Sequence, residues 1–283
     1  MSQDTSTPGA GEDATRRYYD STDVDAFYRS VWGGEDIHTG IYRHPDEPVA
    51  DASRRTVERV ADKLADRLGP GRSVLDLGSG YGGTARYLAE RFGCRVVALN
   101  LSAAQNERHR ATNAERGLDG LVEVVTGSFH DVPFPDGGFD AVCSLEALCH
   151  SDDRDKALGE AVRVLAPGGA LAFTDIMAAE DVPAEALRPA VSRLGVDALA
   201  TPSSYRDRLT ELALTDVGFD DHSEQLLTHY TRLTAETGAR AEELRRIVSD
   251  AYVGHLLENL PVWVEAARGG KLRWGVTHGR RPS

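Results

Sequence analysis

The hydrophobic pattern of this chain changes period repeatedly, and each change marks an element. Val57, Val60, Leu64 and Leu68 recur at three- and four-residue spacing through residues 51–68. That is the period of one helix face, and Gly69-Pro70-Gly71 ends the helix. SVLDLG (73–78) is a short apolar run closed by glycine, the form of a strand buried on both faces. A helix over 83–92, a strand over 95–100, a helix over 102–116 with Ser102 as its N-cap and a strand over 122–127 continue the alternation. FDAVCSL (139–145) predicts a fourth strand, 154–166 a helix closed by Pro167-Gly168-Gly169, and ALAFTDI (170–176) a fifth strand. Alternation at this interval builds a parallel sheet with helices on both faces. Later the rhythm changes: a helix over 203–217, a strand over 219–227, a long helical stretch over about 230–268 and a last strand over 271–279 are expected. No internal repeat is visible.

Composition narrows the partners. The 283 residues, 41% of them hydrophobic, suffice for one α/β domain with an insertion or for two small domains. A net charge of −13 opposes association with nucleic acid or anionic lipid. No apolar run is long enough to cross a bilayer. Residues 1–14 are polar and predict a disordered arm. They lack the basic start and apolar stretch of a signal peptide, so a cytoplasmic location is expected. Cys94, Cys143 and Cys149 have no CxxC spacing, which argues against a zinc site or a disulfide framework, and no metal is expected. Among 32 cationic residues only Lys63, Lys156 and Lys271 are lysine. An acidic, lysine-poor chain suits a salty cytoplasm, but a GC-rich genome produces the same bias, and neither decides function.

The chemistry concentrates at VLDLGSGYGG (74–83), between a strand and a helix. The spacing Gly78-x-Gly80-x-Gly82 is not the GxGxxG of a dinucleotide fingerprint. Glycines here let backbone approach a ligand and turn sharply into the helix. Asp76, on the strand before the turn, suits a cationic or amine-bearing ligand end better than a pyrophosphate. Asn100 stands where a nucleotide site usually carries an acid for ribose hydroxyls, and its amide can still bond a hydroxyl.

Three stretches, DLGSGYGG, SLEALCHSDD and RVLAPGGALAFTD, resemble the successive motifs of class I methyltransferases. More narrowly, YYDSTDVDAFYRSVWGGEDIHTGIY (18–42), VLDLGSGYGGTARYL (74–88) and GGKLRWGV (269–276) resemble the sarcosine/dimethylglycine N-methyltransferases. The resemblance spans roughly residues 16–278. It implies a Rossmann-like α/β fold with a seven-stranded, mostly parallel sheet. An N-terminal lid over 15–50 would precede a methyltransferase domain over 51–283, with a helical insertion at about 228–268. It implies S-adenosylmethionine as cofactor. Asp76, Gly78 and Gly80 would hold its methionine end, Asn100, Leu101 and Gln105 its ribose and adenine, and Ser128 and Phe129 the adenine. Leu145 would lie near the sulfonium, with Tyr19, Tyr28 and Trp32 in the lid. Asn100 departs from the acid general to class I but agrees with the narrower family.

Methyl transfer to an amine needs a nitrogen lone pair, so a proton must leave. His150 and Glu146, four residues apart after the fourth strand, are the candidate bases, and Tyr18 or Tyr19 could orient the amine. Arg206 is the candidate partner for the acceptor's carboxylate. His38, Tyr230 and Trp263 complete the candidate substrate site, because aromatic faces stabilise a quaternary ammonium product. Trp263 reads more readily as a core residue than as part of a cage, and His150 equally as a loop brace. The expected partner is a small amine, with the apolar insertion supporting a homodimer. The rival readings are an O- or C-methyltransferase of natural-product metabolism and a binding protein that kept the cofactor pocket.

Overall fold

The computed structural model describes residues 20–191 and 198–283. The arm over 1–14 and residues Tyr18 and Tyr19 lie outside them. Seven strands form one sheet in the order β3-β2-β1-β4-β5-β7-β6. They are β1 (Ser73–Leu77), β2 (Arg95–Asn100), β3 (Val122–Thr126), β4 (Phe139–Leu145), β5 (Leu165–Ala178), β6 (Thr215–Asp221) and β7 (Leu272–Arg280). β1 to β5 are parallel, whereas β7 runs antiparallel between β5 and β6.

The helices are α1 (Thr22–Val31), α2 (Val49–Leu64), α3 (Gly83–Phe92), α4 (Ala103–Glu115), α5 (Arg154–Val164), α6 (Ala184–Val191), α7 (Pro202–Glu211), α8 (Glu224–Ala239), α9 (Ala241–Leu244) and α10 (Asp250–Arg268). Each covering helix buries the stripe its sequence period provides. Val57, Val60 and Leu64 of α2 join Ala85 and Leu88 of α3 on one face of the sheet. Leu158 and Ala161 of α5 join Tyr205 and Leu209 of α7 on the other. A fully buried leucine or valine contributes about 1.5–3 kcal/mol, so these two layers hold the sheet's direction and register. A third core, with Phe27, Tyr230, Trp263 and Trp274, binds α1, α8 and α10 to β7. Ser102 caps α4 by accepting from the Gln105 amide at 3.2 Å, as the sequence implies.

Three boundaries differ from expectation. α5 stops at Val164, and β5 begins at Leu165, shifting register near its start so that Pro167-Gly168-Gly169 lies inside the strand. α7 ends at Glu211 rather than 217, because Ala213 adopts φ 60° and turns the chain. β6 is therefore Thr215–Asp221, and the segment read as a strand over 219–227 has entered α8 by Glu224. Leu226, Tyr230 and Leu233 share one helical face there and are buried. No described helix is long and apolar enough to cross a membrane. Ile247, half exposed, is the large hydrophobic side chain left at the surface among the described residues.

Candidate active site

The carboxyl ends of β1, β2 and β4 open into one cleft of about 880 Å³ of empty space, part of it continuous with solvent. This is where an open parallel sheet presents its loops to a ligand. The glycine-rich turn forms the floor. Gly78 and Gly80 adopt φ 75° and 52°, left-handed values that favour glycine. The Gly78 and Ser79 amides donate to the Leu99 carbonyl at 2.8 and 3.1 Å, fixing the turn beside β2.

Eleven of the residues expected at the site line this cleft: Gly78, Gly80, Asn100, Leu101, Gln105, Ser128, Phe129, Leu145, Glu146, His150 and His38. Asp76 lies beneath the floor, 2% exposed. Its Oδ1 faces the Cys143 thiol at 3.7 Å, while Oδ2 has no partner among the described residues. Burial pushes its carboxyl up to about 7, countered in part by the thiol. Gln105 Nε2 and Ser79 Oγ are likewise buried without a partner. Unpaired buried polar atoms are costly unless a ligand completes them. A cofactor with an ammonium at one end and hydroxyls in the middle fits these groups, since Asn100 Nδ2 already bonds Gln105 Oε1 at 3.0 Å.

Five expected residues sit elsewhere. Tyr28 and Trp32 are buried in the third core, where Trp32 donates its Nε1–H to the His38 carbonyl at 3.1 Å. They support the cleft wall from behind. Trp263 is fully buried, stacks on Tyr230 at 4.9 Å and donates to Asn259 Oδ1. Both belong to packing, because α8 and α10 turn these rings towards each other. Arg206 is exposed on α7 and does not reach the cleft. Its neighbour Tyr205 and Leu209, four residues on, take the inward face, which turns Arg206 outward. No lysine or arginine is among the described residues lining the cleft. Replacement Arg206→Ala is expected to leave the acceptor KM within about twofold, the outcome for a surface side chain, as initial-rate kinetics would show.

Ile37 and His38 give the cleft a further wall, and residues 36–40 are held there by contributions no local pattern announces. Asp36 pairs with Arg54 at 2.9 Å, although burial still pushes its carboxyl up to about 6. Ser53 Oγ donates to the His38 carbonyl and Thr56 Oγ1 to the Thr39 carbonyl, each at 2.6 Å. From α8, His229 Nδ1 faces the Gly40 amide at 3.3 Å and the Tyr42 hydroxyl at 2.9 Å. Tyr81, within the glycine-rich turn, also lines the cleft and donates to Asp25 Oδ1 at 2.9 Å, tying α1 over it.

Burial pushes His229 down to about 3, and burial with the Arg54 charge does the same to His38. An exposed imidazole protonates near pH 6.5. Their neutral burial thus contributes fully above pH 6.5, and the contribution is lost as pH falls from there towards 3. The melting temperature should drop across that window. It should drop less steeply for His229→Asn, whose amide oxygen accepts without titrating, and thermal melts at successive pH values would show it.

His150 is half-buried at the mouth of a short turn, Leu148–His150. The Cys149 amide donates to Asp175 Oδ1 at 3.1 Å, and Asp175 Oδ2 accepts from the Tyr205 hydroxyl at 2.5 Å. Arg154 donates to the Cys149 carbonyl at 3.2 Å. α7 therefore braces the turn that presents His150.

Residues 75–173 match the family described as a methyltransferase domain. The chain is 47% identical over 269 residues to the sarcosine/dimethylglycine N-methyltransferase of Halorhodospira halochloris, covering 95% of this chain and 96% of that one. It is 42% identical over 273 residues to the dimethylglycine N-methyltransferase of Parasynechococcus marenigrum, covering 96% and 97%. A solved structure from Galdieria sulphuraria, assigned as a sarcosine dimethylglycine methyltransferase, superposes with a TM-score of 0.88 at 35% identity, covering 94% of this chain and 99% of that one.

Proposed function

We propose, from the premise that the chain belongs to the sarcosine/dimethylglycine N-methyltransferase family, that it methylates the nitrogen of dimethylglycine and of sarcosine on the way to glycine betaine. The chain is an S-adenosylmethionine-dependent enzyme. The observation that supports this reading best is the cleft itself. It holds a glycine turn over a carboxylate with one unpartnered oxygen, and three imidazoles, His38, His130 and His150, share its lining.

S-adenosylmethionine, when bound, supplies an electrophilic methyl group on a sulfonium, open to in-line displacement. Asp76 and the Gly78–Gly80 turn receive the amino-acid end of that cofactor, Asn100 and Gln105 the ribose, and Leu101, Ser128 and Phe129 the adenine. Leu145, at the end of β4, would lie close to the sulfonium end. The lid expected over 15–50 would cover the site, with its residues 36–40 packed inward. The helical segment over about 224–268 forms a separate insertion that supports this lid. The walls align donor and acceptor and exclude water, which supplies much of the acceleration in such a displacement. His150 takes the proton from the ammonium so that the nitrogen lone pair is free to attack. With no guanidinium among the described residues lining the cleft, the acceptor carboxylate falls to uncharged donors, His38 among them.

The deciding experiment supplies labelled S-adenosylmethionine with glycine, sarcosine and dimethylglycine in separate reactions. Label in the products of sarcosine or dimethylglycine is the expected result. Cofactor binding with no labelled product from any of the three would refute the reading.

A further inference from the structure

We propose that Glu146 is a positioning residue, a strut that holds the Ile37–Thr39 wall of the cleft against the ends of β4 and β7, and that it does not take the acceptor's proton. The inference rests on the acceptor reading above.

The backbone supplies the first reason. Glu146 follows β4 with φ 53°, one of three non-glycine residues at positive φ among those described. A residue with a Cβ occupies that region at a cost. Glycine would relieve it, so the side chain must contribute enough to hold the conformation. The turn is also needed, since it lays Ala147 directly over Gly78, where an added Cβ would stand 2.3 Å from the Ala147 Cβ.

The carboxyl supplies the second. Its Oε1 accepts two N–H bonds, from the Thr39 amide at 2.7 Å and from Trp274 Nε1 at 3.0 Å. Its Oε2 faces the Thr39 hydroxyl at 3.1 Å. A hydroxyl donates or accepts, so a protonated Oε2 donates its hydrogen bond to Thr39 Oγ1 and leaves the other two bonds undisturbed. The three contacts join elements more than one hundred residues apart in sequence, at 39, 146 and 274. Both ends are fixed: Thr39 is anchored through its carbonyl to α2, and Trp274 is fully buried in β7.

The charges around the group agree. Burial pushes the Glu146 carboxyl up to about 8 and Asp175 adds to the rise, against the three hydrogen bonds that oppose it. His130, His150, Tyr81 and the neutral His38 share the cleft with it, and Glu35 is the other carboxylate on the lining. No described lysine or arginine lines the cleft to offset its charge. A group that is neutral near pH 7 and whose oxygens are spent on the protein's own donors holds shape and is a poor proton acceptor.

Glutamine reproduces the strut. Its amide oxygen accepts the two N–H bonds, and its amide nitrogen donates to Thr39 Oγ1. Glu146→Gln and Glu146→Gly separate the roles, since glycine relaxes the backbone and removes the carboxyl together. Kinetics with dimethylglycine across about pH 6 to 9, with thermal melts, form the test. Glu146→Gln should lose less than about tenfold in kcat and keep the parent's acidic limb of kcat/KM, whereas Glu146→Gly should lose more than about tenfold in kcat/KM for the acceptor. A tenfold or greater loss in Glu146→Gln, a displaced acidic limb, failure of Glu146→Gln to fold, or parent kinetics in Glu146→Gly would each overturn the proposal. If the parent enzyme does not methylate dimethylglycine, the acceptor reading fails on that result alone. The strut is then judged by the melts: it stands if Glu146→Gln melts with the parent and Glu146→Gly well below it, and it falls otherwise.

Discussion

A single methyl group added at Gly78 is expected to abolish cofactor binding. In Gly78→Ala the new Cβ would meet the Ala147 Cβ at 2.3 Å, well inside van der Waals contact, and the backbone φ of 75° disfavours any side chain. Neither neighbour can give way cheaply. Ala147 is buried and follows the strained Glu146, which is tied to Thr39 and Trp274. Gly78 in turn is bonded through its amide to the Leu99 carbonyl at 2.8 Å. Relief must come from moving the glycine turn into the cleft, over Asp76, where the cofactor's amino-acid end would lie. Affinity for S-adenosylhomocysteine should fall by about a hundredfold or more, equivalent to some 3 kcal/mol, as isothermal titration would measure. The fold should survive, since the turn stands at the cleft rather than inside either layer beneath the sheet. Binding within about threefold of the parent would mean that the turn does not contact the cofactor.

The contrast between what was legible in the sequence and what was not follows from distance along the chain. β1 to β4 and the glycine turn could be read because apolar runs, glycines and the Ser102 cap are local signals, and the structure places those strands within about a residue of the expected limits. The chain from 203 to 227 departs from expectation because FDDHSEQLL carries apolar residues only at its two ends and sets no period of its own, while its second half is the first turn of α8. The stronger signal was the helical spacing of Leu226, Tyr230 and Leu233, which begins inside that segment. Arg206 was a chemically apt partner for a carboxylate, but no local pattern tells which side of α7 faces the cleft, and Tyr205 and Leu209 claimed the inward side. The wall was the least legible part. His38 and Glu146 could be singled out as residues, yet their roles depend on Thr39, Trp274 and His229, contributed from far apart in the sequence. Such contacts are fixed by the packing of the insertion helices against β7, which only the assembled fold reveals.

The second large effect is expected at His150. Replacement His150→Gln should lower kcat for dimethylglycine by about a hundredfold or more, the usual contribution of a positioned general base, while cofactor affinity stays near that of the parent. The substitution leaves in place the bonds from Asp175, Arg154 and Tyr205 that hold the turn. Asp175 accepts the Cys149 amide, Arg154 donates to the Cys149 carbonyl, and Tyr205 holds Asp175 from α7. What distinguishes a base from a brace is the response to pH. An ammonium acceptor loses its proton to solvent more readily as pH rises, so a missing base matters less in alkaline solution, and the deficit of His150→Gln should shrink steadily towards high pH. A side chain that only orients the acceptor would leave a deficit of constant size at every pH. A pH-independent deficit, or turnover close to that of the parent near neutrality, would remove His150 from the proton's path. With the Glu146 oxygens committed to Thr39 and Trp274, the proton would then leave directly to water entering at the open mouth of the cleft.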